Sequence, residues 1–160
     1  MVRSGPMPSV VLAVLLTVGA GLPGFEAKQS TVPPIQLMAM TELKSGDMGH
    51  YRVTARINHS EIDVMVDTGA SVVALSYEDA QKAGLHPNTL DYNIPVSTAN
   101  GVVNAARAIL DKVEIDTVRV ENVDAMVLPE GALNGTLLGM SFLSKLDSFK
   151  SEGGVLTLKN

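Results

Sequence analysis

Between residues 51 and 66 apolar side chains recur at every second position. Tyr51, Val53, Ala55 and Ile57 alternate with Arg52, Thr54 and Arg56, and Ile62, Val64 and Val66 alternate with Glu61, Asp63, Met65 and Asp67. A period of two puts successive side chains on opposite faces of an extended chain, which an amphipathic helix cannot do. Asn58-His59-Ser60 between the two runs supplies turn chemistry, so the stretch predicts a hairpin with one buried face. Strand signals continue beyond it. Residues 72–75 form a short apolar run, with Val72 and Leu75 joining Val64 and Val66 as predicted core. Ser76 followed by Asp79 is a helix-capping pair and Gly84 a stop, which predicts one short helix over 77–83. Residues 96–99 lead into Asn100-Gly101, a strong two-residue hairpin signal, and 102–116 and 118–128 read as long strands. Residues 129–135 read as a loop. Leu137-Leu138-Gly139 leads into a second short helix at about 141–146, and Gly153-Gly154 turns into a last strand at 155–158. The expected chain is mainly β with two short helices, no βαβ rhythm and no internal repeat.

Residues 4–25 carry no charge, with Arg3 before them and Glu26 after, and an apolar centre at 10–20. A short apolar stretch behind a positive start reads as a signal peptide or membrane anchor over residues 1–27. Pro6, Pro8, Gly19, Gly21 and Pro23 weaken a continuous span, and cleavage sites follow Ala20 or Ala27. Arg3 is expected to stay cytoplasmic while the rest crosses. Residues 28–46, rich in Gln, Ser, Thr and Met, show no clean period and read as a flexible tether, with the folded domain over 47–160.

The 160 residues suffice for one domain plus a short segment, and 46% hydrophobic against 18% charged content excludes a disordered chain. The formal net charge is −5 with no basic run, which argues against nucleic acid as a partner. Cysteine is absent, so disulfides, thiolate nucleophiles and Cys-bound zinc are excluded. His50, His59 and His86 lack the helical spacing of a metal pair, and neither a serine elbow nor a phosphate-cradling loop is present. No metal and no cofactor is expected. What stands out is Asp67-Thr68-Gly69-Ala70-Ser71, an acid at the end of an apolar strand followed by small residues. Gly69 allows a sharp backbone course, the Thr68 hydroxyl can lock the turn, and backbone N–H groups can hold a carboxylate. The plain alternative is an ordinary strand-to-loop turn.

Asp67-Thr68-Gly69-Ala70-Ser71 resembles the active-site loop of aspartic proteases. Leu137-Leu138-Gly139 before a short helix is similar to that family's second pattern of two hydrophobic residues and a glycine. The hairpin tip Thr98-Ala99-Asn100-Gly101-Val102 lies between them and is similar in place to the flap. The ordered series covers about residues 47–160 and resembles bacterial retropepsin-like proteases with an N-terminal membrane segment. The resemblance implies a single-domain closed β-barrel with two short helices, acting as a homodimer. It implies Asp67 as the catalytic acid, Thr68, Gly69, Ala70 and Ser71 as its supporting loop, and residues 98–102 as a cover over a polypeptide substrate. It also implies Leu137, Leu138 and Gly139 as support behind Asp67. Such a site holds one water and one proton between two carboxylates. One acid takes a proton from the attacking water and the other donates to the peptide carbonyl.

Asp-Thr-Gly occurs once, since Asp116-Thr117 is followed by Val118. The second acid must therefore come from an identical chain across a two-fold axis. Walls drawn from residues 96–103 and 127–135 would favour extended peptides with hydrophobic side chains beside the cut. The expected place of action is outside the cytoplasm, periplasmic or anchored in the inner membrane through residues 4–25. Two rival readings are a non-catalytic binding or assembly module of the same fold, and a generic small β-barrel whose Asp67 points to solvent.

Overall fold

The computed structural model describes residues 38–99 and 101–160. Ten strands run in chain order: β1 (Met40–Lys44), β2 (Tyr51–Ile57), β3 (Ser60–Val66), β4 (Val73–Leu75), β5 (Ile94–Thr98), β6 (Gly101–Ile115), β7 (Val118–Val127), β8 (Thr136–Leu138), β9 (Ser148–Glu152) and β10 (Val155–Lys159). Helix α1 (Tyr77–Lys82) follows β4, and α2 (Met140–Leu143) follows β8. Both occur where expected, each shorter than the sequence suggested because Ala83 and Ser144 already cap them. Among the described residues no helix is long and apolar enough to cross a membrane.

Six strands close on themselves. Their order is β2-β3-β8-β4-β7-β6, and β6 returns to β2 through Arg56↔Glu114 and Ile57↔Val113. Closure leaves no free edge in this barrel. β3 and β8 run parallel, as do β4 and β7, which brings the two strands leading into Asp67 and Gly139 side by side. The first part of β6 outreaches the barrel and pairs with β5 from Thr98↔Gly101 to Ile94↔Ala105, forming a projecting hairpin. A second sheet, β1-β10-β9, is wholly antiparallel.

The alternation of β2 and β3 does what its period requires. Ala55, Ile57, Ile62, Val64 and Val66 are buried, packing with Val73, Leu75, Leu110, Leu138 and Phe142. One residue of the expected core differs: Val73, not Val72, is buried, because the chain turns once more after Ser71 before β4 begins. The tether expected through residue 46 also ends earlier. Met40–Lys44 is a strand, with Thr41 and Leu43 buried and Leu43 opposite Leu156. Its partner lies more than a hundred residues away, so no local signal announces the pairing. Residues 1–37, on which the expected signal or anchor and the first part of the expected tether fall, lie outside the described residues.

Asn58 is more than a turn residue. It has a φ of 54° and is buried. Its amide donates to the Ala83 carbonyl at 2.9 Å, and its Oδ1 accepts from the Asp111 N–H at 3.0 Å. It thus ties the β2–β3 turn to the end of α1 and to β6. Asn58→Ala is expected to cost about 3 kcal/mol, from a left-handed backbone without its amide and orphaned partners. Asn58→Gly, which tolerates the backbone, should lose distinctly less in urea unfolding.

Asp79 holds α1 to the barrel. Buried at the first turn of the helix, it accepts from Thr136 Oγ1 at 2.9 Å and from Lys82 Nζ at 2.8 Å. That hydrogen bond and the Asp79 charge raise the Lys82 ammonium above its ordinary value of 10.5. A raised lysine contributes stability that is complete below the ordinary value and lost as pH climbs through the raised one. Lys82 is largely exposed, so screening keeps the contribution small. The stability difference between wild type and Lys82→Met should therefore narrow above about pH 10.5 in alkaline unfolding scans.

Candidate active site

β3 delivers Asp67 to the mouth of the barrel. The Asp67 N–H donates to the Leu138 carbonyl at 3.1 Å, extending the parallel β3–β8 pairing by one residue. The chain then turns tightly, with the Ala70 N–H donating to the Asp67 carbonyl at 3.2 Å. The Gly69 N–H donates to Asp67 Oδ1 at 2.9 Å, which fixes the direction of the carboxylate. Asp67 and Ala70 are half-buried; Thr68, Gly69 and Ser71 are exposed.

The segment after β8 clamps this loop from behind. The Met140 N–H donates to the Ala70 carbonyl at 2.8 Å. The Val73 N–H donates to Ser141 Oγ at 2.9 Å, and that hydroxyl donates to the Asp124 carbonyl at 2.6 Å. Ser141 therefore joins β4, α2 and β7 through one oxygen. The sequence gives no sign of this role, because a serine one residue into a short helix looks ordinary. Gly139 is required by space rather than by its backbone angle, φ −92°. A Cβ there would overlap the Val72 carbonyl oxygen and stand 2.7 Å from that of Ala70.

Asp67, Gly69, Ala70 and Ser71 line one side of a cleft of about 550 Å³. Val72, Ala74, Met126, Leu128, Leu133 and Leu137 add apolar walls, and Val96, Ser97, Thr98 and Ala99 of the β5–β6 hairpin border it above. Leu137 thus faces the cleft, while its neighbour Leu138 is fully buried beneath the loop. Ala74 and Met126 had no sequence signal of their own; they arrive because β4 and β7 pair in parallel at Ala74↔Met126. At the hairpin tip Thr98 Oγ1 donates to the Gly101 carbonyl at 2.8 Å. Gly101 has a φ of 113°, and Val102 is 69% exposed and outside the cleft lining. Asn100 lies outside the described residues. Thr68 faces the other way, into a hollow of about 320 Å³ that it shares with Asp67, His50, Tyr51, Phe149, Ser151 and Leu156.

A larger hollow of about 620 Å³ has charged walls from Glu61, Asp63, Glu78, Asp79 and Lys82 and includes neither Asp67 nor the hairpin. Among the described residues no group of three or more His, Asp or Glu side chains is placed to hold a metal. His50, His59 and His86 are all exposed. Asp124 is held below the ordinary carboxylate range by a hydrogen bond from Arg107, on the outside of the barrel.

Residues 53–145 match the model of the gag-polyprotein putative aspartyl protease family. An uncharacterized protein of Sinorhizobium sp. is 42% identical over 112 residues, 70% of this chain and 48% of the other. An uncharacterized protein of Rickettsia prowazekii is 44% identical over 115 residues, 72% of this chain and 48% of the other. The chain spans about half the length of these two relatives. The crystal structure of a retropepsin-like aspartic protease from Rickettsia conorii superposes with a TM-score of 0.68 at 36% identity, covering 76% of this chain and 91% of that one. An EIAV protease complexed with an inhibitor superposes with a TM-score of 0.51 at 16% identity, over 63% and 91% of the two chains, a likeness of fold. The six-stranded barrel, the Asp-Thr-Gly loop at its mouth and these matches agree: the chain belongs to the retropepsin-like aspartic proteases.

Proposed function

We propose that this protein is an aspartic endopeptidase whose site is completed by a second copy of the chain. The observation that carries the reading is the Asp67 carboxylate, steered by the Gly69 N–H at the edge of an apolar cleft under a β-hairpin. One carboxylate cannot serve as acid and base in the same step. Two, one from each copy, hold a water between them: the ionised member accepts its proton, the oxygen attacks the peptide carbonyl, and the protonated member donates to the carbonyl oxygen. No acyl-enzyme forms: the tetrahedral adduct collapses by breaking its C–N bond, the carboxyl that took the water's proton passing it to the leaving nitrogen.

The other residues support that chemistry. Leu138 and Gly139 carry the loop, and Thr68 sits on the side of Asp67 away from the cleft, where a twin can be reached. The hairpin of β5 and β6 covers an extended substrate and excludes water, with Thr98 and Gly101 as its last paired residues. Apolar walls from Val72, Met126, Leu128 and Leu133 suit hydrophobic side chains beside the scissile bond. The leader supports action outside the cytoplasm, with residues 4–25 as signal or tether. The test is cleavage of peptides carrying paired hydrophobic residues, read beside the association state by sedimentation. Cutting by a species that stays monomeric at all concentrations defeats the reading, and so does cutting that survives loss of the Asp67 carboxyl.

A further inference from the structure

Asn-Gly occurs twice in the chain, at 100–101 and at 134–135. In this dipeptide the glycine nitrogen stands beside the asparagine side-chain carbonyl, with no Cβ of its own to obstruct an approach. The two glycines are held differently. Gly101 opens β6 opposite Thr98, and its carbonyl accepts from Thr98 Oγ1 at 2.8 Å. Opposite residues at the end of a short hairpin exchange backbone hydrogen bonds, which engages the Gly101 N–H. Gly135 lies outside any strand, one residue before β8, with a φ of 86° and open space where a Cβ would stand. Among the described residues none accepts a hydrogen bond from the Gly135 N–H, and none bonds the amide of the exposed Asn134.

The position of this second dipeptide gives its chemistry a consequence. Leu133 lines the apolar cleft, whereas Asn134 and Gly135 line the charged hollow with Glu61, Asp63, Glu78 and Asp79. Lys82, the cation on that wall, is already paired with Asp79 at 2.8 Å. Thr136 follows, opening β8 opposite Val64, and its buried hydroxyl donates to Asp79 Oδ2 at 2.9 Å. We propose that Asn134-Gly135 is a site of spontaneous modification in the folded protein: the Gly135 nitrogen converts Asn134 into aspartate and isoaspartate, and the product loosens the seat of β8. The site is separate from the Asp67 chemistry and does not depend on it.

The Gly135 N–H gives its proton to hydroxide, and the nitrogen attacks Asn134 Cγ. The bond from Cγ to the side-chain nitrogen breaks, and ammonia leaves with a proton taken from water, closing a cyclic imide. Water then adds to either ring carbonyl. Breaking the new bond to Cγ leaves aspartate. Breaking the original peptide bond of Asn134 leaves isoaspartate, with the main chain routed through Cβ and Cγ. In total one water is consumed and one ammonia released, and nothing is oxidised or reduced. Either product adds a negative charge to a hollow already walled by carboxylates. Isoaspartate also lengthens the main chain by one carbon just before Thr136, where the β3–β8 pairing and the bond to Asp79 begin.

The full chain is aged in mildly alkaline buffer, in an Asp67→Asn background so that cutting plays no part, and then digested. Peptide mass spectrometry and enzymatic methylation of isoaspartate report the product at each position. In the folded chain position 134 should lead position 100 by at least about fivefold, the factor that one engaged backbone hydrogen bond supplies. In concentrated urea, where neither glycine is held, the two positions should react alike. Asn134→Gln, whose longer side chain closes the ring far more slowly, should age without change at 134. In urea unfolding the aged chain should fall below Asn134→Asp, which carries the charge without the extra main-chain carbon, and Asn134→Asp below the fresh chain. Equal reaction at the two positions of the folded chain, or slower reaction at 134, overturns the site. An aged chain as stable as the fresh one, or an equal loss in aged Asn134→Gln, overturns the loosening of β8.

Discussion

Asp67→Asn is expected to lower peptide cutting by about a thousandfold or more, with folding and association intact. The amide nearly preserves the shape of the carboxylate and still accepts from the Gly69 N–H through its oxygen. It cannot take a proton from water, so the loss falls on the chemical step and not on the fold. Mixing supplies the sharper measurement. When wild type and variant are unfolded together in equal amounts and refolded, random pairing leaves about a quarter of the dimers with two carboxylates. Cutting should fall to about that fraction of the all-wild-type value. An enzyme working from one chain keeps half, and that figure would show that each copy carries a complete site.

Gly139→Ala should damage the fold and the site together. The added carbon has no room between the carbonyls of Val72 and Ala70, and both belong to the loop that Asp67 opens. Backbone cannot step aside as a side chain can, so either α2 or the loop must shift. A loss of about 3 kcal/mol in urea unfolding is expected, with cutting lost even where the protein remains folded. Gly69→Ala is the comparison. Its Cβ meets only Asp67 Oδ1, at 3.1 Å, so stability should fall by less than about 1 kcal/mol while activity suffers from the turned carboxylate. Equal, small stability losses for the two variants would mean that the Gly139 contact relaxes easily.

Local pattern made much of the barrel legible. The period of two over residues 51–66 carries its own register, since a slip by one residue would expose Val64 and Val66 and bury Asp63. Ser76 caps α1 through the Asp79 N–H at 3.2 Å, as its position in the sequence suggested. Segments whose signal lies far away were not legible. β1 shows little pattern of its own and is a strand because β10 is there to pair with it. Val72 and Val73 are equally apolar, and only the turn after Ser71 decides which of them enters the core. Ser141 and Asn58 are ordinary residues by type, and their hydrogen bonds exist only once three elements meet around each.

Chemistry and count belong to the sequence. A single Asp-Thr-Gly marks the candidate acid, and the proposed function takes the second from another copy of the chain; both are read from residue identity and number, which do not depend on how the polypeptide packs. Placement belongs to the tertiary structure. The parallel pairing of β3 with β8 and of β4 with β7 sets Gly139 against the Asp67 loop and brings Ala74 and Met126 into one wall. Such contacts join residues fifty or more positions apart, and what fixes them is the closure of the barrel and its side-chain packing, neither of which a local stretch of chain encodes.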